Sequence, residues 1–259
     1  MRILFWNMKK KDLISVTKEL ITDNEVDIVV FAEYVSTAIE KTAADLSYVQ
    51  HDGYGGCFKV TMIAKQSVGV NVVREQDRYT IYKIVCDNVE YNLVGLHLYD
   101  RMSHPNPYDR TIVAHTITKD IQEVEKASDN DKTIVIGDFN DNPFDPSMIA
   151  KSAFNAVLFR KLIDKAETCV YDGNRWKRFY NPILQFLRDE DGRRGSHYYE
   201  SGSSPLYWNC FDQVLIRKAL IDRFDHMEYI TKTSNRTLVT NVRIKEQYSD
   251  HLPLLVCFR

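Results

Sequence analysis

Seven polar residues stand where apolar runs stop, and their types suit metal binding or proton transfer. Leu4-Phe5-Trp6 ends at Asn7, and Ile28 to Ala32 ends at Glu33. Leu93-Val94-Gly95-Leu96 ends at His97, and Ile134 to Gly137 ends at Asp138, followed by Phe139 and Asn140. Asp250 and His251 stand directly before Leu252 to Val256. Taken singly, each residue has a plainer reading. An Asn or Asp at a strand end is commonly a turn residue bonded to its own backbone. Glu33 could be an exposed strand terminus, and His97 a hydrogen-bonded core residue. Together they form a pattern, because ligand sites in open α/β sheets gather outside the carboxyl ends of parallel strands.

The elements that must position these residues are visible as short runs rich in β-branched residues. They cover Ile3 to Asn7, Asp27 to Glu33, Tyr79 to Val85, Tyr91 to His97, Thr133 to Asp138, Phe211 to Arg217, Thr237 to Ile244 and Leu252 to Phe258. Helical spacing of apolar residues predicts helices over Asp12 to Ile21 and Asp109 to Ala127. Strands alternating with helices in the first half, then strands in excess, imply an α/β chain of sheets covered by helices. With no repeat, low-complexity tract or boundary, residues 1–259 read as a single domain.

From Gly173 to Ser204 the chain is polar and expected to be irregular, with cations among aromatics. Long loops inside compact domains are more often functional than accidental, and this mixture suits phosphates and stacked bases. Arg175, Arg193 and Arg194 are its candidate substrate contacts; the plainer alternative is a solvated loop whose aromatics pack locally.

Composition narrows the classes. A net charge of -2 argues against a protein that grips nucleic acid over a wide surface, so polyanion binding must come from a local patch and a metal ion. Five scattered cysteines without a CxxC pair argue against a structural zinc site and a disulfide framework. Residues 1–6 run straight into a strand without a signal peptide, and no apolar run approaches the ~20 residues of a membrane span. The expectation is a cytoplasmic protein with no membrane association.

The segments Ile3-Leu4-Phe5-Trp6-Asn7, Phe31-Ala32-Glu33, Gly95-Leu96-His97, Ile136-Gly137-Asp138-Phe139-Asn140, Trp208 to Val214 and Ser249-Asp250-His251-Leu252-Pro253 follow one another in a familiar order. The chain resembles the endonuclease/exonuclease/phosphatase superfamily from end to end, most specifically in the GDFN-type and SDH-type segments. The resemblance implies a four-layer αββα sandwich, two mixed β-sheets packed face to face with helices outside. It implies Glu33 as the principal metal ligand, with Asn7 beside it and Asp250 behind it or at a second ion. Such oxygen ligands suit Mg2+, with Mn2+ as a substitute, and the lack of thiolates disfavours zinc.

The same resemblance gives the catalytic roles. The residue at the Asp138 position helps activate the attacking water, and Asn140 orients water or substrate. His251 donates to phosphate oxygens or handles the proton of the attacking water, and is paired with Asp212. His97, for which the sequence offers no clear carboxylate partner, stabilises charge or protonates the leaving oxygen. Met8-Lys9 follows Asn7 where AP endonucleases place an Asp two residues after the Asn, and His97 stands where those enzymes lack a histidine. Both departures favour the deoxyribonuclease-like branch. Ala32 also replaces the Gln common before the metal-binding Glu. His51, His104, His115, His197 and His226 have no motif support and read as structural or surface residues. The expected function is a nuclease acting on DNA or RNA. The alternatives are a phosphoesterase of a small phosphorylated molecule or lipid headgroup, and a silent binding module, for which the complete polar set offers no support.

Overall fold

The computed structural model describes residues 1–186, 195–200 and 207–259. The first strand, β1 (Arg2–Asn7), and β2 (Ile28–Ala32) are almost wholly buried runs of large apolar and β-branched residues. Strands of that kind belong at the centre of a sheet covered on both faces. They lie parallel, with Asn7 opposite Ala32, and α1 (Ile14–Asp23) makes the crossover, burying Val16, Leu20 and Ile21. α2 (Ser36–Leu46), β3 (Tyr48–His51) and β4 (Val60–Lys65) follow, β4 antiparallel to β2.

The second sheet repeats this logic. β5 (Gly69–Gln76), β6 (Tyr79–Cys86) and β7 (Val89–His97) form a meander. α3 (Pro107–Ser128) then returns the chain to β8 (Thr133–Asp138), parallel to β7 with His97 opposite Asp138. α3 starts cleanly because the Asn106 side chain accepts the Tyr108 amide and Pro107 opens the first turn. Beyond it come α4 (Pro146–Ile149), β9 (Ala156–Val157), α5 (Arg160–Lys165), the hairpin β10 (Thr168–Tyr171) and β11 (Asn174–Lys177), β12 (Phe179–Tyr180) and α6 (Ile183–Phe186). The chain finishes with β13 (His197–Tyr198), β14 (Trp208–Asn209), β15 (Asp212–Ile216), β16 (Phe224–Tyr229) and β17 (Leu254–Phe258).

One sheet has the order β16-β17-β1-β2-β4-β3, the other β5-β6-β7-β8-β15-β12-β9. They pack face to face with helices outside, the expected α/β sandwich. Side chains alternate across the second sheet as strand geometry requires. Ile134, Ile136, Val214 and Ile216 share a core with Val30 and Leu254, whereas Val135 and Leu215 turn the other way to meet Ile117 and Ile121 of α3. Gly95 sets the sheet separation locally: a Cβ there would stand 2.9 Å from Val30 Cγ1 in the opposite sheet. At Gly137 the neighbour is β7 itself, since a Cβ would fall 2.1 Å from the Leu96 carbonyl oxygen.

Two expectations are corrected. Thr237 to Ile244 is not a strand; it makes only the isolated bridges Lys232–Thr237 and Val239–Ile244. The Thr240 hydroxyl accepts the Val242 and Arg243 amides, a local turn that competes with a ladder. The stretch expected to be irregular from Gly173 begins instead with the ordered strands β11 and β12.

Candidate active site

Each sheet carries one central parallel pair, and the carboxyl ends of both pairs open at the same end of the sandwich. The register places Asn7 beside Ala32, the residue before Glu33, and sets His97 and Asp212 on either side of Asp138. The sheets then bring these ends together. Asn7 Nδ2 donates to Asp138 Oδ2 at 3.0 Å and to Glu33 Oε1 at 3.4 Å. His97 Nε2 stands 3.7 Å from both Glu33 Oε1 and Asp138 Oδ2, which supplies the carboxylate partners that the sequence left open. The backbone amide of Asn140 donates to Asp138 Oδ1 at 2.9 Å, and its side chain donates to the Leu98 carbonyl at 3.1 Å.

His251 arrives from the turn before β17 and is held from several sides. Trp6 Nε1 donates to its carbonyl at 3.0 Å, and its amide donates to Ser249 Oγ, which itself donates to the Asn7 carbonyl at 2.6 Å. Its Nδ1 lies 2.8 Å from Asp212 Oδ2, and its Nε2 lies 3.8 Å from Asp138 Oδ2. Tyr229 Oη donates to the Asp212 carbonyl at 2.6 Å, and Ser196 Oγ accepts the Asp212 amide at 3.0 Å. Left-handed backbone at Glu33, Asn140 and Lys9, with φ of 45°, 51° and 50°, marks strain that clusters where the chains turn out of the strands.

The charges follow from this geometry. Burial alone would push His251 down, but Asp212 and Asp138 outweigh it and raise it to about 10, so it is an imidazolium at neutral pH. Burial would raise Asp138; the charges of His251 and His97 and the donors Asn140 and Asn7 overcome that and hold it below its ordinary value. Burial keeps Asp212 above the ordinary carboxylate value despite His251.

Oxygen and nitrogen atoms of Asp138, Asp212 and His251 all lie within 4.8 Å of one another. That trio is a poor metal cage, because an imidazolium has no lone pair to give and its Nδ1 already serves Asp212. Glu33 fits better. Its side chain is 34% exposed, and among the described residues the one hydrogen bond to its Oε1 is the long one from Asn7, so lone pairs remain for a hard divalent ion. Asn7, expected beside Glu33 at the ion, turns its amide nitrogen toward Glu33 and Asp138. Its Oδ1 accepts the Lys9 amide at 3.1 Å, so nitrogen faces the two carboxylates, and the residue orients them. Asp250 is near the cluster in sequence, but its Oδ2 pairs with Lys9 Nζ at 2.7 Å.

Arg175 lies elsewhere. It stands on the β10–β11 hairpin, bonded to Thr168 Oγ1, in a cavity shared with Glu125, Asp129 and Asp131. Asp131 precedes the start of β8, whereas Asp138 ends it, which puts the hairpin roughly 16 Å away along the strand. Arg193 and Arg194 lie outside the described residues. Three residues of the site wall escaped the sequence reading. Lys9 pairs with Asp250. His197 packs against His251 with ring centroids 4.6 Å apart and stacks on Phe211; burial and the His251 charge lower it to about 4, so it stays neutral. Arg101 donates to the Asn140 carbonyl at 2.8 Å and lies over the Phe211 ring. Only the adjacency of His197 to the aromatic Tyr198-Tyr199 pair hinted at any of them.

The profile of the Endonuclease/Exonuclease/phosphatase family matches residues 90–251. A comparison with curated protein sequences finds no match. Solved structures similar to this chain include TDP2 of D. rerio complexed with single strand DNA product, 15% identical with a TM-score of 0.64, covering 100% of this chain and 98% of that one. The mannosyl-6-phosphatase Bt3783 of Bacteroides thetaiotaomicron is 14% identical with a TM-score of 0.65, covering 100% and 99%. The endonuclease domain of TRAS1, a telomere-specific non-LTR retrotransposon, is 12% identical with a TM-score of 0.58, covering 100% and 98%. At these identities the likeness is one of fold.

Proposed function

Because the chain belongs to the endonuclease/exonuclease/phosphatase family, whose members are phosphoesterase hydrolases, we propose that it is a Mg2+-dependent phosphodiesterase that hydrolyses DNA or RNA, with Mn2+ able to substitute. One observation carries this reading: Glu33, His97, Asp138 and His251, from four separate stretches of sequence, form a chain of contacts no longer than 3.8 Å.

Glu33 would hold the ion, and Asn7 would keep the Glu33 and Asp138 carboxylates apart and aimed. The bound ion would grip a phosphate oxygen and offset charge on the leaving group. Asp138, held ionised, orients the attacking water and takes its proton. His251 remains an imidazolium through the neutral range and donates to a phosphate oxygen as negative charge grows there. Asp212 fixes its tautomer and ring direction. His97, facing Glu33 and Asp138, stands where it can protonate the leaving oxygen. Asn140, locked by its amide and side-chain bonds, keeps the Asp138 carboxylate turned into the site.

Small phosphate esters are the second reading. The mildly negative chain and the removal of Arg175 from the site favour it, as does the likeness to a sugar phosphatase. One experiment separates the two. Plasmid DNA, single-stranded DNA, RNA and soluble phosphate esters are offered, with Mg2+ and separately with Mn2+, to the wild-type protein and to Asp138→Ala. Cleaved polynucleotide with the wild type alone supports the nuclease reading. Intact polynucleotides beside a cleaved small ester reject it, and no reaction with either ion rejects both.

A further inference from the structure

Three consecutive lysines follow the end of β1, and two of them are committed to the turn that carries the SDH-type segment. Lys11 Nζ donates to the carbonyls of Glu246 and Tyr248. Lys9, in left-handed backbone and with its own amide on Asn7 Oδ1, reaches Asp250 Oδ2 at 2.7 Å. Left-handed backbone is unfavourable for a side chain of this size, so the turn holds Lys9 in this position against its intrinsic preference. The contact matters because Asp250 is the carboxylate at which a second cation would be expected, and the ammonium already occupies it.

We propose that the Lys9 ammonium takes the cation position at Asp250, so that the centre holds one divalent ion, at Glu33. A divalent ion at Asp250 would have to displace the Lys9 ammonium that already neutralises this carboxylate at 2.7 Å. Among the described residues Glu33 has no such competitor: the side-chain groups against it are the Asn7 amide and the His97 ring. Asp250 is then a positioning residue, acting through Lys9, and Lys9 supplies the neutralising charge that a second ion would bring. The inference rests on the reading of Glu33 as the metal ligand.

Calorimetric titration of the metal-free full chain with MnCl2 tests it. The wild type is expected to bind one Mn2+, and Glu33→Ala to lose it. Asp250→Asn should leave the affinity within about fivefold, the scale of an exposed charge. Lys9→Gln should bind a second Mn2+, and adding Asp250→Asn to that variant should remove it again. Two ions in the wild type, a loss of about tenfold or more in Asp250→Asn, or a single ion in Lys9→Gln would each overturn the proposal. Failure of the underlying reading looks different: no ion in the wild type, or an ion retained in Glu33→Ala. The Lys9–Asp250 pair is solvent-accessible, with Lys9 52% exposed, so these variants leave the core intact.

Discussion

Replacing Asp212 by Asn keeps the shape of the side chain but removes the charge nearest His251, and the consequence can be worked from the geometry. Burial pushes His251 down, yet Asp212 at 2.8 Å and Asp138 at 3.8 Å raise it from the ordinary 6.5 to about 10. At ~1.4 kcal/mol per tenfold, that rise represents roughly 5 kcal/mol of preference for the imidazolium. In Asp212→Asn the burial penalty persists and the leading favourable charge is gone, so His251 should titrate near or below neutrality. The wild-type kcat/KM should then show no loss from His251 between pH 6.5 and 9. The variant should fall with rising pH, reaching about 10²-fold below wild type at pH 8, the scale of a lost proton-transfer group. Initial rates with bis(4-nitrophenyl) phosphate across pH 5.5–9.5, beside NMR titration of the His251 ring, provide the assay. Parallel profiles for the two proteins would refute the argument. The same linkage has a stability side. Because the folded value lies above the unfolded one, the stabilisation is complete below about pH 6.5 and disappears as pH rises through about 10.

Four further outcomes follow. Asn7→Asp places a third carboxylate against Glu33 and Asp138 and should cut kcat about 10²-fold or more, with a cooperative melt retained, measured by steady-state kinetics and thermal denaturation. Gly95→Val intrudes on Val30 and should destabilise by about 1–3 kcal/mol in urea unfolding, with little change expected had the sheets been loosely packed there. Arg217 is buried against Glu125 at 2.8 Å with its guanidinium over Phe179, so Glu125→Ala strands a charge and should cost about 3–5 kcal/mol in the same measurement. Arg175→Ala should leave KM for any phosphate substrate unchanged; a rise would return the hairpin to the substrate path.

The parts of this molecule legible in the sequence are those where local pattern and burial agree. β1, β2, β7 and β8 are buried apolar runs, so their polar end residues stand out, and most of the candidate site is found at those ends. α2 offers no comparable signal, because its buried face is Ala38, Ile39, Thr42 and Ala43, too small to mark a stripe. β5 alternates at the sheet margin with half its residues exposed, and reads as polar chain. Thr237 to Ile244 fails for the opposite reason: β-branched residues suggest a strand, and the Thr240 turn prevents one. Lys9 and His197 were invisible because their roles depend on partners 241 and 54 residues away, Asp250 and His251, and a lysine run or a lone histidine carries no local mark of such pairing. Arg175 was misplaced because composition alone cannot say which end of the sandwich a hairpin occupies.

In the proposed mechanism Glu33 holds the ion while Asp138, Asp212 and His251 form a separate proton-handling set beside it. Anomalous diffraction from Mn2+-soaked crystals tests this most directly. One peak is expected, bonded to the Glu33 carboxylate and clear of the His251 ring. A peak cradled by Asp138, Asp212 and His251, or none near Glu33, would contradict it.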